Sequence, residues 1–129
     1  MKLFLKILIL IVSFTVLSAW SFRLEMDTIY RGADAANMIE EFQAYGLSKT
    51  TMIVVGIFKV LCAILLLLGI KYEKLITPAA FVMATFMLAA IYFHISIGDP
   101  FIPTLPSSLM FLSCITIIYL DKKLNSAQS

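Results

Sequence analysis

Four apolar stretches, residues 3–22, 51–70, 75–97 and 101–120, take up most of this 129-residue chain, and one charge, Lys59, lies deep inside any of them. Each stretch has about the 17–25 residues that an α-helix needs to cross a hydrocarbon layer roughly 30 Å thick at about 1.5 Å per residue. The expected fold is an all-α membrane protein. It is a bundle of four transmembrane helices, with a short amphipathic helix in the first extracytoplasmic loop, forming one membrane domain over residues 1–129. Hydrophobic residues make up 61% of the chain and charged residues 14%, against about 45–50% and about 25% in ordinary soluble domains. That excess leaves too little polar surface for an aqueous fold.

The lipid bilayer is thus the first expected partner. Nucleic acid is not one: the net charge is +2, and the ten Lys and Arg are scattered rather than gathered into a patch. Cys62 and Cys114 both fall inside apolar stretches and form no CxxC pair, which argues against a zinc site and a thioredoxin-type motif. Both sit at mid-span on helices running the same way, at a depth that permits contact, with apolar packing as the plain reading.

The basic residues give the spans a direction. Lys2, Lys6, Lys71, Lys74, Lys122 and Lys123 fall on one side of the membrane, where Glu73 and Asp121 reduce them to +4. The other side carries Arg23, Arg31 and Lys49 against Glu25, Asp27, Asp34, Glu40, Glu41 and Asp99, or −3. An excess of Lys and Arg marks the cytoplasmic side. Both termini are therefore expected in the cytoplasm, with the long first loop outside, in a bacterial inner membrane. The first stretch has a competing reading as a secretory signal peptide, with Lys2 and Lys6 as a basic start, residues 7–17 as an apolar centre and Ser18-Ala19 as a small-residue site. Against it, Leu17 stands where a cleavage site wants a small residue, and Trp20 and Phe22 suit interfacial anchors.

Between residues 35 and 45, Ala35, Met38, Ile39, Phe42 and Tyr45 recur at helical spacing, which predicts the short amphipathic helix. Asp34 is its expected N-cap and Gly46 its left-handed terminator. This helix is read as a lid on the bundle or an interfacial segment, its acidic face solvated. Lys71-Tyr72-Glu73-Lys74 is short enough to force an antiparallel hairpin. Gly98-Asp99-Pro100 makes the outer turn, with Asp99 expected to bond nearby backbone donors. Pro103 and Pro106 are expected to delay the fourth helix to about residues 104–107, leaving about 14–17 residues for the span.

An intramembrane lysine marks a functional site by default, since a central charge costs on the order of 2.5–3.5 kcal/mol on insertion scales. Lys59 is about eight residues from Thr51, or roughly 12 Å below the outer boundary, so its stem can also carry the ammonium toward water. At helical spacing it shares a side with Gly56, Cys62 and Ala63, small residues that favour the bundle interior over lipid. His94, the single histidine, lies near the outer end of the third span on one face with Met83, Met87 and Ala90. Its plain reading is a hydrogen-bonded structural residue. Lys59 and His94 together suggest a small polar cavity in the outer half of the bundle, with Glu40, Glu41, Tyr45 and Asp99 as its lid and rim. Such a cavity suits an anionic head group, a quinone ring or a partner's polar side chain.

Residues 42–47, the run Gly56-Ile-Phe-Lys59-Val-Leu-Cys-Ala63-Ile-Leu-Leu, Met87-Leu-Ala-Ala90 through His94, Gly98-Asp99-Pro100 and Leu105-Pro106 carry a resemblance. In these segments, from about Phe42 to Lys123, the chain resembles the DoxX-like family of small four-helix membrane proteins. The resemblance implies a four-helix bundle and no single activity: members are associated with thiosulfate oxidation and quinones, with membrane complexes of thiol or oxidative-stress defence, or with receptor assembly. It supplies no catalytic motif. No nucleophile-and-base constellation or metal-ligand cluster stands out in the sequence. The expected role is a non-enzymatic accessory subunit or assembly factor of a membrane complex, with a membrane-protein partner, no metal and no cofactor of its own. The alternative is the membrane subunit of a quinone-linked oxidoreductase of sulfur or thiol chemistry, paired with a redox-enzyme partner. A transporter comes third, because four short spans show no inverted repeat or broken helices.

Overall fold

In a hydrocarbon layer a backbone must satisfy its own N–H and C=O groups, so apolar runs of span length close into helices. The computed structural model describes residues 2–21, 37–99 and 101–128. It contains α1 (Lys2–Ala19), α2 (Met38–Ala44), α3 (Lys49–Gly69), a 3-10 turn (Glu73–Leu75), α4 (Ile76–Ser96) and α5 (Phe101–Gln128). Helices α1, α3, α4 and α5 are long and apolar enough to cross a membrane. The protein is an all-α membrane protein built on these four.

Lipid tails solvate leucine as well as a protein core does, so the four helices associate through close packing rather than water exclusion. Helix α1 packs on α3 and α5, and α4 packs on the same two, which closes the helices into a ring. Buried residues repeat along single faces: Leu5, Ile9, Val12 and Val16 on α1, Met110, Cys114, Ile117 and Leu120 on α5. The α4 face is small and sulfur-bearing, with Ala79, Ala80, Met83, Ala84 and Met87. Phe14, Ile57, Phe81 and Leu112 point outward into lipid. Hydroxyls in the spans largely bond back to their own helix, as Thr85 does to the Phe81 carbonyl (3.0 Å) and Ser113 to that of Leu109 (2.8 Å). Ser13 is buried with no hydrogen-bond partner among the described residues.

Two boundaries differ from expectation. Helix α5 begins at Phe101 rather than near residues 104–107 and runs 28 residues, to Gln128. The first four N–H groups of a helix have no intrahelical acceptor, so Pro103 forfeits nothing and Pro106 removes one bond at the very start. Its membrane-compatible part, Thr104–Asn125, is accordingly longer than the minimum for a span. Helix α2 begins at Met38, and its cap is Asn37, whose side chain accepts the Glu40 N–H at 2.9 Å. Asp34, Ala35 and Phe22 lie outside the described residues.

The ends of α2 and α4 share one geometry. Gly46 (φ 79°) and Gly98 (φ 72°) take the left-handed conformation that closes a helix. After α2, Leu47 N–H donates to the Phe42 carbonyl (2.9 Å) and Gly46 N–H to that of Gln43 (3.0 Å). After α4, Asp99 N–H donates to the His94 carbonyl (2.9 Å) and Gly98 N–H to that of Ile95 (3.1 Å). This paired 6→1 and 5→2 closure folds the residue after glycine back over the last turn.

Candidate functional site

That closure builds the first part of a polar cluster at the end of the bundle where α2 lies. A hydrophobic pair commonly accompanies it; here the pair is His94 and Asp99. The imidazole Nδ1 and the Asp99 Oδ2 are 2.7 Å apart, and both side chains are about 4% exposed. The Asp99 carboxylate thus serves the imidazole, a role beyond the backbone bonding expected of it.

Tyr45, at the C-cap of α2, supplies the second part. Its ring stacks on Phe93 (centroids 5.4 Å, 23°) and meets His94 edge-on (5.6 Å, 86°). Its hydroxyl donates to Glu41 Oε1 at 2.8 Å, one helical turn back. The same oxygen lies 3.2 Å and 3.3 Å from the two nitrogens of His94. A phenol has one proton, and a carboxylate only accepts, so the hydroxyl that serves Glu41 turns a lone pair toward the imidazole. Glu41 Oε1 itself lies 3.9 Å from His94 Nε2. The acidic residue expected in solvent is therefore turned inward, whereas Glu40 is exposed.

Lys59 forms the third part. It is half-buried on α3, and its ammonium stands 5.7 Å from the centroid of Trp20. Trp20 lies against Gly56, where a Cβ would approach the ring to 2.5 Å, so only glycine admits the indole at this distance. Trp20 also meets Phe42 of α2 edge-on (6.0 Å, 76°). Lys59 and His94 are joined by no hydrogen bond; the carboxylate whose field reaches Lys59 is Glu41, the one that also faces His94. The aromatic series Trp20, Phe42, Tyr45 and Phe93 spans the distance between them. Beside Trp20 a groove of about 390 Å³ opens toward lipid, lined by Met52, Ile53, Gly56, Ile57, Val60 and Leu61.

The sequence suggested Lys59 and His94 with Glu40, Glu41, Tyr45 and Asp99 around them; Glu40 is exposed, and Trp20, Phe42 and Phe93, which the sequence did not point to as part of the site, adjoin the others. The sequence reading also missed a second cluster at the opposite, hairpin end. There Asp121 is 5% exposed, accepts the Thr77 hydroxyl at 2.6 Å and the Asn125 amide at 3.4 Å, and adjoins a small pocket of about 30 Å³ flanked by Lys2 and Lys6. The signal available was Thr77 and Asp121 at the same end of antiparallel α4 and α5. Cys62 and Cys114 are free, buried thiols in the shared core. Among the described residues, no group of three or more His, Cys, Asp or Glu is arranged to hold a metal ion.

The sequence profile of the DoxX-like family matches residues 8–117, from the first turns of α1 to the far half of α5. The chain belongs to the DoxX-like family. The match takes in α1, which the resemblance had left aside, and all the parts of this DoxX-like site that the structure describes. Neither a curated protein nor a solved structure matches the chain.

Proposed function

We propose that this DoxX-like protein is a non-enzymatic accessory subunit or assembly factor of a membrane complex. In this reading it sits in a bacterial inner membrane with both termini cytoplasmic and α2 on the opposite side. The observation that carries it is the latching of α2: Tyr45 and Glu41 close on His94, and His94 on Asp99, within one buried set. Those groups satisfy one another and hold the loop helix as a fixed cap. What remains for a partner is the cap's outer surface, the lipid-facing sides of α1 and α3, and Lys59 at their junction. The charge balance of the loops supports the orientation.

A second reading, the membrane subunit of a quinone-linked oxidoreductase, has one observation in its favour. Lys59 stands beside an apolar groove, as a group bonding a quinone oxygen would, with the redox cofactor carried by another subunit. Affinity purification of the intact protein from native membranes, with mass spectrometry of proteins and extracted quinones, separates the two. Recovery of a membrane complex or immature client proteins without quinone supports the first. A stable redox-enzyme partner with stoichiometric quinone replaces it with the second, and a protein recovered alone contradicts both.

A further inference from the structure

A hydroxyl on a membrane helix has a ready acceptor in its own backbone one turn back, and Thr85, Ser113 and Thr116 all use it. Ser13 does not. It is fully buried on the inner face of α1 beside Val12 and Val16, and its hydroxyl has no hydrogen-bond partner among the described residues. What stands at its level in the bundle is sulfur.

Three contacts between helices fix that level. Trp20 rests on Gly56; moving toward the hairpin end, Ser13 comes seven residues from Trp20 along α1 and Cys62 six residues from Gly56 along α3, about 10 Å in both cases. Gly69 lies against Ile76, and seven residues from each, away from the hairpin end, are Cys62 on α3 and Met83 on α4. Thr77 bonds Asp121, and the same step reaches Ala84, next to Met83, and Cys114 on α5. Ser13, Cys62, Met83 and Cys114 therefore form one layer, a residue from each helix, and none is more than 6% exposed. Because α1 and α4 each pack on both α3 and α5, the hydroxyl stands opposite the thioether and the two thiols stand opposite each other. Both thiols are free, and a charge on Cys62 is felt at Cys114.

Two thiols and a thioether are a donor set for a soft metal ion. The middle of a bilayer penalises net charge, and a singly charged ion meets that condition at the cost of one proton: a cysteine S–H breaks, an S–Cu(I) bond forms, and H⁺ leaves. A zinc ion would need both thiolates and four good donors, and a thioether and a neutral hydroxyl are poor ones. We propose that this layer binds one Cu(I) ion between the sulfurs of Cys62 and Cys114, with the Met83 thioether as third donor and the Ser13 hydroxyl donating to the thiolate. The expectation of no metal came from the missing CxxC pair and the lack of a ligand cluster in the sequence; single cysteines on opposite helices make neither pattern. The site lies apart from the polar cluster beneath α2, and it stands or falls without the accessory role.

Cu(I), held reduced by ascorbate under argon, is titrated into the intact protein in phosphatidylcholine nanodiscs against a chromophoric Cu(I) chelator. One ion per protein is expected, with only sulfur donors in the copper X-ray absorption spectrum. Cys62→Ser and Cys114→Ser should each weaken binding at least tenfold, and Ser13→Ala, which removes an unpaired hydroxyl and leaves the packing intact, several-fold. Absence of binding, or binding that survives the loss of both cysteines, overturns the proposal. So does a nitrogen donor at the ion, which would place it on His94, or displacement by equimolar zinc, or an affinity indifferent to Ser13→Ala.

Discussion

Tyr45 concentrates three roles in one side chain, and they are separable. Its ring packs on Phe93, its proton goes to Glu41, and its lone pair faces His94. Tyr45→Phe keeps the ring and removes the oxygen, leaving Glu41 and the imidazole each short of a partner in a nearly closed site. A donor or acceptor left unsatisfied on burial costs about 1–3 kcal/mol. We expect Tyr45→Phe to lower stability by that amount in SDS titrations of the micelle-bound protein, with the loss strongly reduced when Glu41 has already been replaced by Ala, which removes the acceptor. Additive losses in that double mutant would show that the hydroxyl and Glu41 act independently. Of the site residues, His94 and Lys59 were legible in the sequence because a membrane leaves so few polar positions to choose from. The inward turn of Glu41 was not, because an acidic residue on a short exposed helix is ordinarily solvated. What decides it is Tyr45 one turn later, docked on a helix about fifty residues downstream.

The helices were read correctly as elements because an apolar run of span length has no other closed form in lipid. Their ends were read less well. Two prolines near the start of α5 suggested delay, yet both fall where a helix has almost no bonds to lose. Gly98-Asp99 was recognisable as a turn. Its return onto His94 follows only from the 6→1 closure, which places the residue after glycine over the third residue from the helix end. The contact between α1 and α3 at Trp20 and Gly56 was invisible for a plainer reason, since it joins positions 36 residues apart in the chain and depends on which helices are neighbours. Its consequence is measurable. Gly56→Ala puts a methyl within 2.5 Å of the indole, and overpacking of this kind costs about 1–3 kcal/mol. Trp20 should shift off α3, with a changed emission maximum, and Lys59 should lose its ring contact. An unchanged Trp20 spectrum in a folded Gly56→Ala protein would contradict the packing described.

At the scale of the whole molecule, loop charges give the bundle its expected orientation. Single cysteines introduced at Gln43 and at Glu73, both exposed, test it with a membrane-impermeant thiol reagent on oriented vesicles. The Gln43 site is expected to react from outside the cytoplasm and the Glu73 site only from the cytoplasmic side; the reverse pattern inverts the topology. Cys62 and Cys114 should give little background, being buried. The ring of helices has polar ties at both ends, Thr77 to Asp121 at one and Tyr45 to His94 at the other, with an almost wholly apolar middle. In water, sliding α5 along α4 would expose core leucines. In a bilayer the same slide merely exchanges one set of methyl contacts for another. Axial register between these helices is therefore indexed by the Thr77 hydroxyl on Asp121. Thr77→Val should leave α4 and α5 fully helical and blur their alignment, so that engineered cysteine pairs along the two helices crosslink at several offsets where the native protein allows one. The polar ties act as a length gauge, and the oxygen of Thr77 is its zero mark.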